Sequence, residues 1–427
     1  MIYYNINNPS EKVTLRNAVL KSITSESGLY MPATIPELPS SFFEKLPDLS
    51  LQEIAFEVSL AMFGDDIEKE ALKKIVYQAM NFEIPLKKLR EDLYVLELFH
   101  GPTLAFKDVG ARFMAGLFEY FLKEDTSEVT ILVATSGDTG SAVADAFHNK
   151  KGVNVCILYP SEKVSALQEK QLTTMGGNIR AIEVKGNFDD CQKLVKQAFS
   201  DIALNKRMNL TSANSINFAR LFPQSFYYFY AIGQLGKTDK PVYISVPSGN
   251  FGNLTAGLIA KRMGLKIDQF IASTNSNHSV PDYLESGQYE PHPIQFTISN
   301  AMDVAKPSNF PRMLSLYNKQ KDLMAGDILG YWCNDDETRS AMKNLKTNFE
   351  YIADPHGAIA YNGLKNKMPE NAIGIFLESA HPAKFPEEVN KVSEINIEIP
   401  SSLLNLMNKE KKAVVIQNEY QSLLNEL

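Results

Sequence analysis

The stretch VTILVATSGDTG (Val129–Gly140) carries an apolar, β-branched run, then a turn of small hydrogen-bonding residues, then the start of the helical pattern SAVADAFHNK. The run lacks the alternation of a half-solvated strand, which suits a parallel sheet covered on both faces. The unit recurs. VNVCILYP (Val153–Pro160) precedes KVSALQEKQLTTM, NIRAIEVKG (Asn178–Gly186) precedes FDDCQKLVKQAF, and PVYISVPSG (Pro241–Gly249) precedes NLTAGLIAKRMG. IDQFIAST (Ile267–Thr274) and NAIGIFLES (Asn371–Ser379) add later strands. Repeated βα units of this kind predict an α/β fold of doubly wound, mostly parallel sheets. Ligands in such sheets bind beyond the carboxyl ends of the strands. TSGDTG, PSGNFGN and Ser379 all fall at such ends, so one shared cleft is expected.

At 427 residues the chain exceeds what one core usually serves, and two or three domains are expected. Residues 1–95 read as a helical and mixed N-terminal region, with amphipathic LQEIAFEVSLAMF (Leu51–Phe63) and KEALKKIVYQAM (Lys69–Met80) as a docking layer. Residues 96–215 form a smaller α/β domain in this reading, and residues 216–427 a larger one. NKEKK (Asn408–Lys412) reads as a solvated face.

A formal charge of −7 argues against a nucleic-acid or anionic-membrane binder, whose surface is basic. No run approaches a membrane span, and MIYYNINNPSEK lacks a secretory pattern. Cys156, Cys191 and Cys333 form no CxxC pair and read as reduced, buried thiols of a cytoplasmic protein. The six histidines show no paired-ligand spacing, so no metal site is expected.

Four segments carry the chemistry. In HGPTLAFKD (His100–Asp108), Lys107 stands among small residues, an aromatic and a carboxylate. That setting suits an amine kept reactive as a Schiff-base former, because the neutral form is the nucleophile. PSGNFGN (Pro247–Asn253) follows a strand and opens a helix, so its backbone N–H groups suit a phosphate, or it is a plain turn. It matches neither the Walker nor the dinucleotide pattern. TSGDTG (Thr135–Gly140) is a second such turn, where Ser136, Gly137, Asp138 and Thr139 suit a carboxylate or Asp138 caps the helix. ESAHPAKF (Glu378–Phe385) places the Ser379 hydroxyl after the last strand. Candidate phosphate-binding cations are Arg220 in NSINFARLFPQ (Asn214–Gln224), with Asn217 one turn earlier, Lys163 in YPSEKVSALQEKQ, and Lys384. Ordinary ion pairing is the alternative for each cation.

Together, in this order, the segments resemble threonine synthase, a pyridoxal-phosphate (PLP) family of the tryptophan-synthase-β-like fold, and the bacterial and fungal branch in particular. The resemblance runs from Tyr3 to about Val392. It implies a cofactor cleft between the two α/β domains, with Lys107 holding PLP and acting as general acid/base. It implies a phosphate cup of Gly249, Asn250, Phe251, Gly252 and Asn253, and Ser379 at the pyridine nitrogen, where the family usually shows Thr. Asp138 stands where related enzymes place Asn, which leaves open what meets the cofactor's phenolic oxygen. The implied reaction is loss of phosphate from O-phospho-L-homoserine and addition of water to give L-threonine, with no obligate protein partner. The alternatives are a phospho-lyase or other PLP lyase of the same fold and, from another class, a non-catalytic small-anion sensor.

Overall fold

The structure, a computed structural model, describes all 427 residues except 23, 25–27 and 126–127. Its strands in chain order are β1 (Ile2–Asn5), β2 (Lys12–Thr14), β3 (Tyr30–Pro32), β4 (Leu86–Arg90), β5 (Leu93–Glu97), β6 (Val129–Ala134) and β7 (Val153–Pro160). They continue with β8 (Ile179–Lys185), β9 (Asn209–Thr211), β10 (Val242–Pro247), β11 (Gln269–Thr274), β12 (Ile328–Trp332), β13 (Ile373–Glu378) and β14 (Ala413–Gln417). Three sheets result, ordered β2-β1-β3, β12-β11-β10-β13-β5-β4 and β14-β8-β7-β6-β9. The small first sheet is antiparallel. The two large ones are parallel throughout except for the edge pair β4–β5. The doubly wound α/β reading holds.

Alternate residues of a strand face opposite ways, and the packing shows it. In β11, Phe270 and Ala272 enter the central core while Ile271 enters a second cluster with Leu345 and Leu364. In β6, Ile131 and Val133 enter that same central core, and Leu132 and Ala134 face a third cluster with Leu194 and Ala198. Each sheet is thus covered on both sides, and the two share one core. Among the described residues, no helix is long and apolar enough to cross a membrane.

Sheet membership does not follow the contiguous segments 96–215 and 216–427. β5, which leads into Lys107, pairs with β13 of the six-stranded sheet. β14, near the other end of the chain, pairs in parallel with β8 of the five-stranded sheet. The NKEKK segment just before it is exposed at all five residues, as the solvated-face reading expects, and it also makes contacts that seat β14. Lys411 Nζ meets Glu169 at 2.7 Å and Glu183 at 2.5 Å, and Lys412 N–H donates to Thr173 O. Parallel pairing across more than 200 residues leaves no local signal.

One buried cation ties the N-terminal region to the rest of the chain. Arg312, fully buried, donates to Ser215 O, Ile216 O, Tyr30 O and Asn309 Oδ1 at 2.6–2.9 Å. It therefore joins β3 to the loop that precedes Asn217. Replacing Arg312 with Met strands these acceptors in the core. Urea denaturation is expected to show a loss of about 3 kcal/mol or more, since each buried unsatisfied group costs about 1–3 kcal/mol.

Candidate active site

Lys107 opens the helix Lys107–Phe121, immediately after the segment that leaves β5. The strand end of β13 holds that segment: Phe106 N–H donates to Ser379 O at 2.8 Å, and His381 N–H to Leu104 O at 3.0 Å. Asp108, fully buried, accepts from Thr103 N and Thr103 Oγ1 at 2.8 and 2.6 Å and fixes the turn from below. Burial pushes the Asp108 carboxyl up to about 6 against the pull of those two bonds. Lys107 and Ser379 line one cleft of about 790 Å³, a volume ordinary for a small-molecule site. Burial lowers the pKa of the Lys107 amine; Asp138 opposes this, and Lys384 and Arg220 add to it.

The turn PSGNFGN lines the same cleft from Gly249 to Asn253. Its side chains are spent on holding the turn. Asn250 Oδ1 accepts from Ser308 N and Oγ, and Asn253 bridges Ser248 Oγ, Leu254 N and Pro247 O. Phe251 adopts a left-handed φ of 59° at the cap of the helix Gly252–Arg262, a conformation that turns successive N–H groups to one side. Among the described residues, none of the backbone N–H groups from Gly249 to Asn253 donates to a protein acceptor. Both glycines sit at close approaches: a Cβ on Gly249 would lie 2.7 Å from Met302 Cα, and one on Gly252 2.9 Å from Ser215 Cβ.

TSGDTG is held by Thr135 Oγ1, which accepts from Gly137 N and Gly140 N at 3.0 and 2.9 Å. Gly137 itself does not line the cleft, whereas Ser136, Asp138 and Thr139 do. The N–H groups of these three find no acceptor among the described residues. Asp138 does more than cap its helix. Its Oδ1 meets Lys384 Nζ at 2.6 Å and Gln168 Nε2 at 3.0 Å, and its Oδ2 lies 3.7 Å from Lys107 Nζ. Burial alone would raise the Asp138 carboxyl, but Lys384 and then Lys107 hold it well below the usual range.

The candidate cations separate sharply. Arg220 is buried, lines the cleft, and among the described residues has no carboxylate within ion-pair distance. Its Nη1 donates to Ala213 O at 2.8 Å. Burial pushes its guanidinium down to about 10, so it stays charged at neutral pH. Asn217 does not line the cleft; it caps the short helix Phe218–Leu221 that carries Arg220 and donates to Val19 O and Ser212 O. Lys163 is exposed on the loop after β7 and does not line the cleft either. Lys384 is fully buried, so its ion pair with Asp138 is an interior one and not an ordinary surface pair.

The sequence reading missed His356 and Asp354. His356 lines the cleft, and its Nδ1 lies 2.9 Å from Asp354 Oδ1. Asp354 caps the helix Pro355–Lys367 and also accepts from Ala380 N, next to Ser379. Asp followed by Pro is a helix-start signal and would have located this cap. Among the described residues, no cluster suited to a metal ion occurs.

Comparison with known proteins bears on what such a cleft holds. A family described as pyridoxal-phosphate dependent enzyme matches residues 78–377. Threonine synthase N-terminal and C-terminal families match residues 2–80 and 357–426. The chain is 46% identical to the threonine synthase of Haemophilus influenzae over 404 residues, 94% of each chain. The crystal structure of threonine synthase from Escherichia coli superposes with a TM-score of 0.94 at 41% identity over the whole of both chains. A PLP-bound threonine synthase from Brucella melitensis superposes at 0.93 with 34% identity, covering 100% of this chain and 98% of that one. The donor set fits PLP: a partly buried amine of lowered pKa that lines the cleft, and a run of unsatisfied N–H groups at a helix start suited to a phosphate. Replacing Gly252 with Val is expected to lower PLP affinity while circular dichroism stays unchanged, because the added carbons press on Ser215 and shift the turn. Normal cofactor content in that variant would mean that the phosphate is held elsewhere.

Proposed function

The chain belongs to the threonine synthase family, and we propose that it converts O-phospho-L-homoserine and water to L-threonine and phosphate. It is a PLP-dependent lyase. What carries the reading of the substrate is one cleft that joins Lys107, two turns with unsatisfied N–H groups, and the buried guanidinium of Arg220. An amino acid with a phosphate at its far end matches that spread of donors.

When bound, PLP supplies an electron sink that stabilises negative charge at the carbons next to the substrate amine. The chain's residues do the rest. Lys107 would hold the cofactor covalently and, once displaced by the substrate amine, move protons at Cα and Cβ; burial lowers its pKa and so favours the neutral amine, while Asp138 opposes that shift. The N–H groups from Gly249 to Asn253 would hold the cofactor's phosphate in this reading, and the Ser379 hydroxyl would be the group offered to its ring nitrogen. Those of Ser136, Asp138 and Thr139 take the substrate's carboxylate at the helix start. Arg220 anchors the substrate's phosphate and stabilises the charge that gathers on it as the Cγ–O bond breaks. Asn217 supports Arg220 by capping its helix, and Lys163 has no contact that assigns it a role. Three free, buried cysteines agree with a reducing compartment, and a cytoplasmic location belongs to the same reading.

Purified holoenzyme is expected to make threonine from O-phospho-L-homoserine in step with phosphate release. Phosphate without threonine would replace the proposal with a phospho-lyase. Borohydride reduction followed by peptide mass analysis should find the pyridoxyl group on Lys107, and Lys107→Ala should lose turnover. Arg220→Gln is expected to raise KM for the phosphorylated substrate about tenfold or more with the PLP content of the purified protein unchanged.

A further inference from the structure

We infer that Lys384 is a positioning residue for the cofactor: with Asp138 it forms a neutral, buried pair beside the phenolic oxygen of PLP, and it does not bind the substrate's phosphate. The inference rests on the reading of Lys107 as the cofactor lysine. The phenolic oxygen of PLP is attached one ring carbon away from the aldehyde that a lysine takes. The groups around Lys107 Nζ therefore decide whether that oxygen can carry negative charge. Among the described residues, the carboxylate within ion-pair distance is that of Asp138, whose Oδ2 lies at 3.7 Å. Alone, it would repel a phenolate.

Lys384 removes that conflict. Its Nζ lies 2.6 Å from Asp138 Oδ1 and donates to Thr103 O at 3.0 Å. An ammonium has three N–H groups, and among the described residues the third meets no acceptor. The side chain is fully buried and Asp138 nearly so, so their charges cancel where solvent screens little. A phosphate-binding cation should instead lie open to the cleft without a carboxylate partner. Arg220 meets that description and Lys384 does not. The charged groups acting on the Lys107 amine are Asp138 after β6, Lys384 after β13, Arg220 on the helix Phe218–Leu221, and Asp354 before the helix Pro355–Lys367. Lys384 disfavours a further positive charge there, whereas Asp138 favours one.

The test uses resting holoenzyme and compares Lys384→Met, Asp138→Asn and the double variant. The first readout is the pH midpoint of the visible absorbance of lysine-bound PLP; the second is kcat and KM for O-phospho-L-homoserine. Without Lys384 the carboxylate acts unopposed and holds a proton on the Lys107 nitrogen, so the midpoint should rise by about one unit or more. The kcat should fall about 100-fold with KM little changed. Asp138→Asn should move the midpoint the other way. In the double variant the site is neutral again: the midpoint should return towards the wild-type value, and kcat should recover about tenfold over Lys384→Met. A tenfold higher KM in Lys384→Met with an unmoved midpoint would assign Lys384 to the substrate's phosphate and overturn the inference. So would a double variant no better than Lys384→Met. Should Lys384→Met not fold, the double variant against wild type still decides, through KM and the midpoint. A pyridoxyl adduct on a lysine other than Lys107 would show instead that the underlying reading had failed.

Discussion

The carboxylate of Asp138 is the point on which the two large sheets meet chemically. It follows β6 of the five-stranded sheet, while Lys384 follows β13 of the six-stranded sheet and Lys107 follows β5 beside it. One buried anion thus joins three chain segments. A buried ion pair contributes little net stability over apolar packing, but breaking one by removing a single partner is costly. The arrangement accordingly specifies geometry more than it adds stability. It ties the TSGDTG turn to the segments that follow β5 and β13 and keeps the Lys107 amine in a field of nearly balanced charge.

Around that point the site divides its labour between backbone and side chains. In PSGNFGN the asparagine side chains hold the turn and leave the N–H groups free. In TSGDTG the Thr135 hydroxyl does the same. Such turns tolerate little change in shape, as the close approaches at Gly249 and Gly252 indicate. They offer fixed dipoles that need no reorganisation when an anion arrives.

Much of this was legible in the sequence, for local reasons. Continuous apolar runs gave β6, β7, β8, β10, β11 and β13, because strands buried on both faces must be apolar throughout. The strand-to-helix turns and Lys107 carried their own signals. What stayed hidden depends on distant pairing. β5 and β12 are short, β9 spans three residues, and β14 finds its partner only through the fold. The roles of cations were hidden for the same reason. Lys163, Lys384 and Arg220 are equivalent as letters, and only burial and the position of Asp138 separate an exposed lysine, a paired lysine and a guanidinium without a carboxylate partner among the described residues.

The place of β14 has a consequence for how the molecule is made. β8 has β7 on one side and only β14 on the other. Until synthesis has passed Gln417, the outer edge of β8 has no strand to pair with, although β6, β7 and β9 can already assemble. An open edge of a parallel sheet is a template for wrong pairing. At translation rates of about 5–20 residues per second, the chain spends about ten seconds or more between β8 and β14 in that state. The charges at Glu183 and Lys185 on the unpaired strand are the kind that discourage edge-to-edge association in the interval. Lys411, which pairs with Glu183, then seats β14 once that segment has been made.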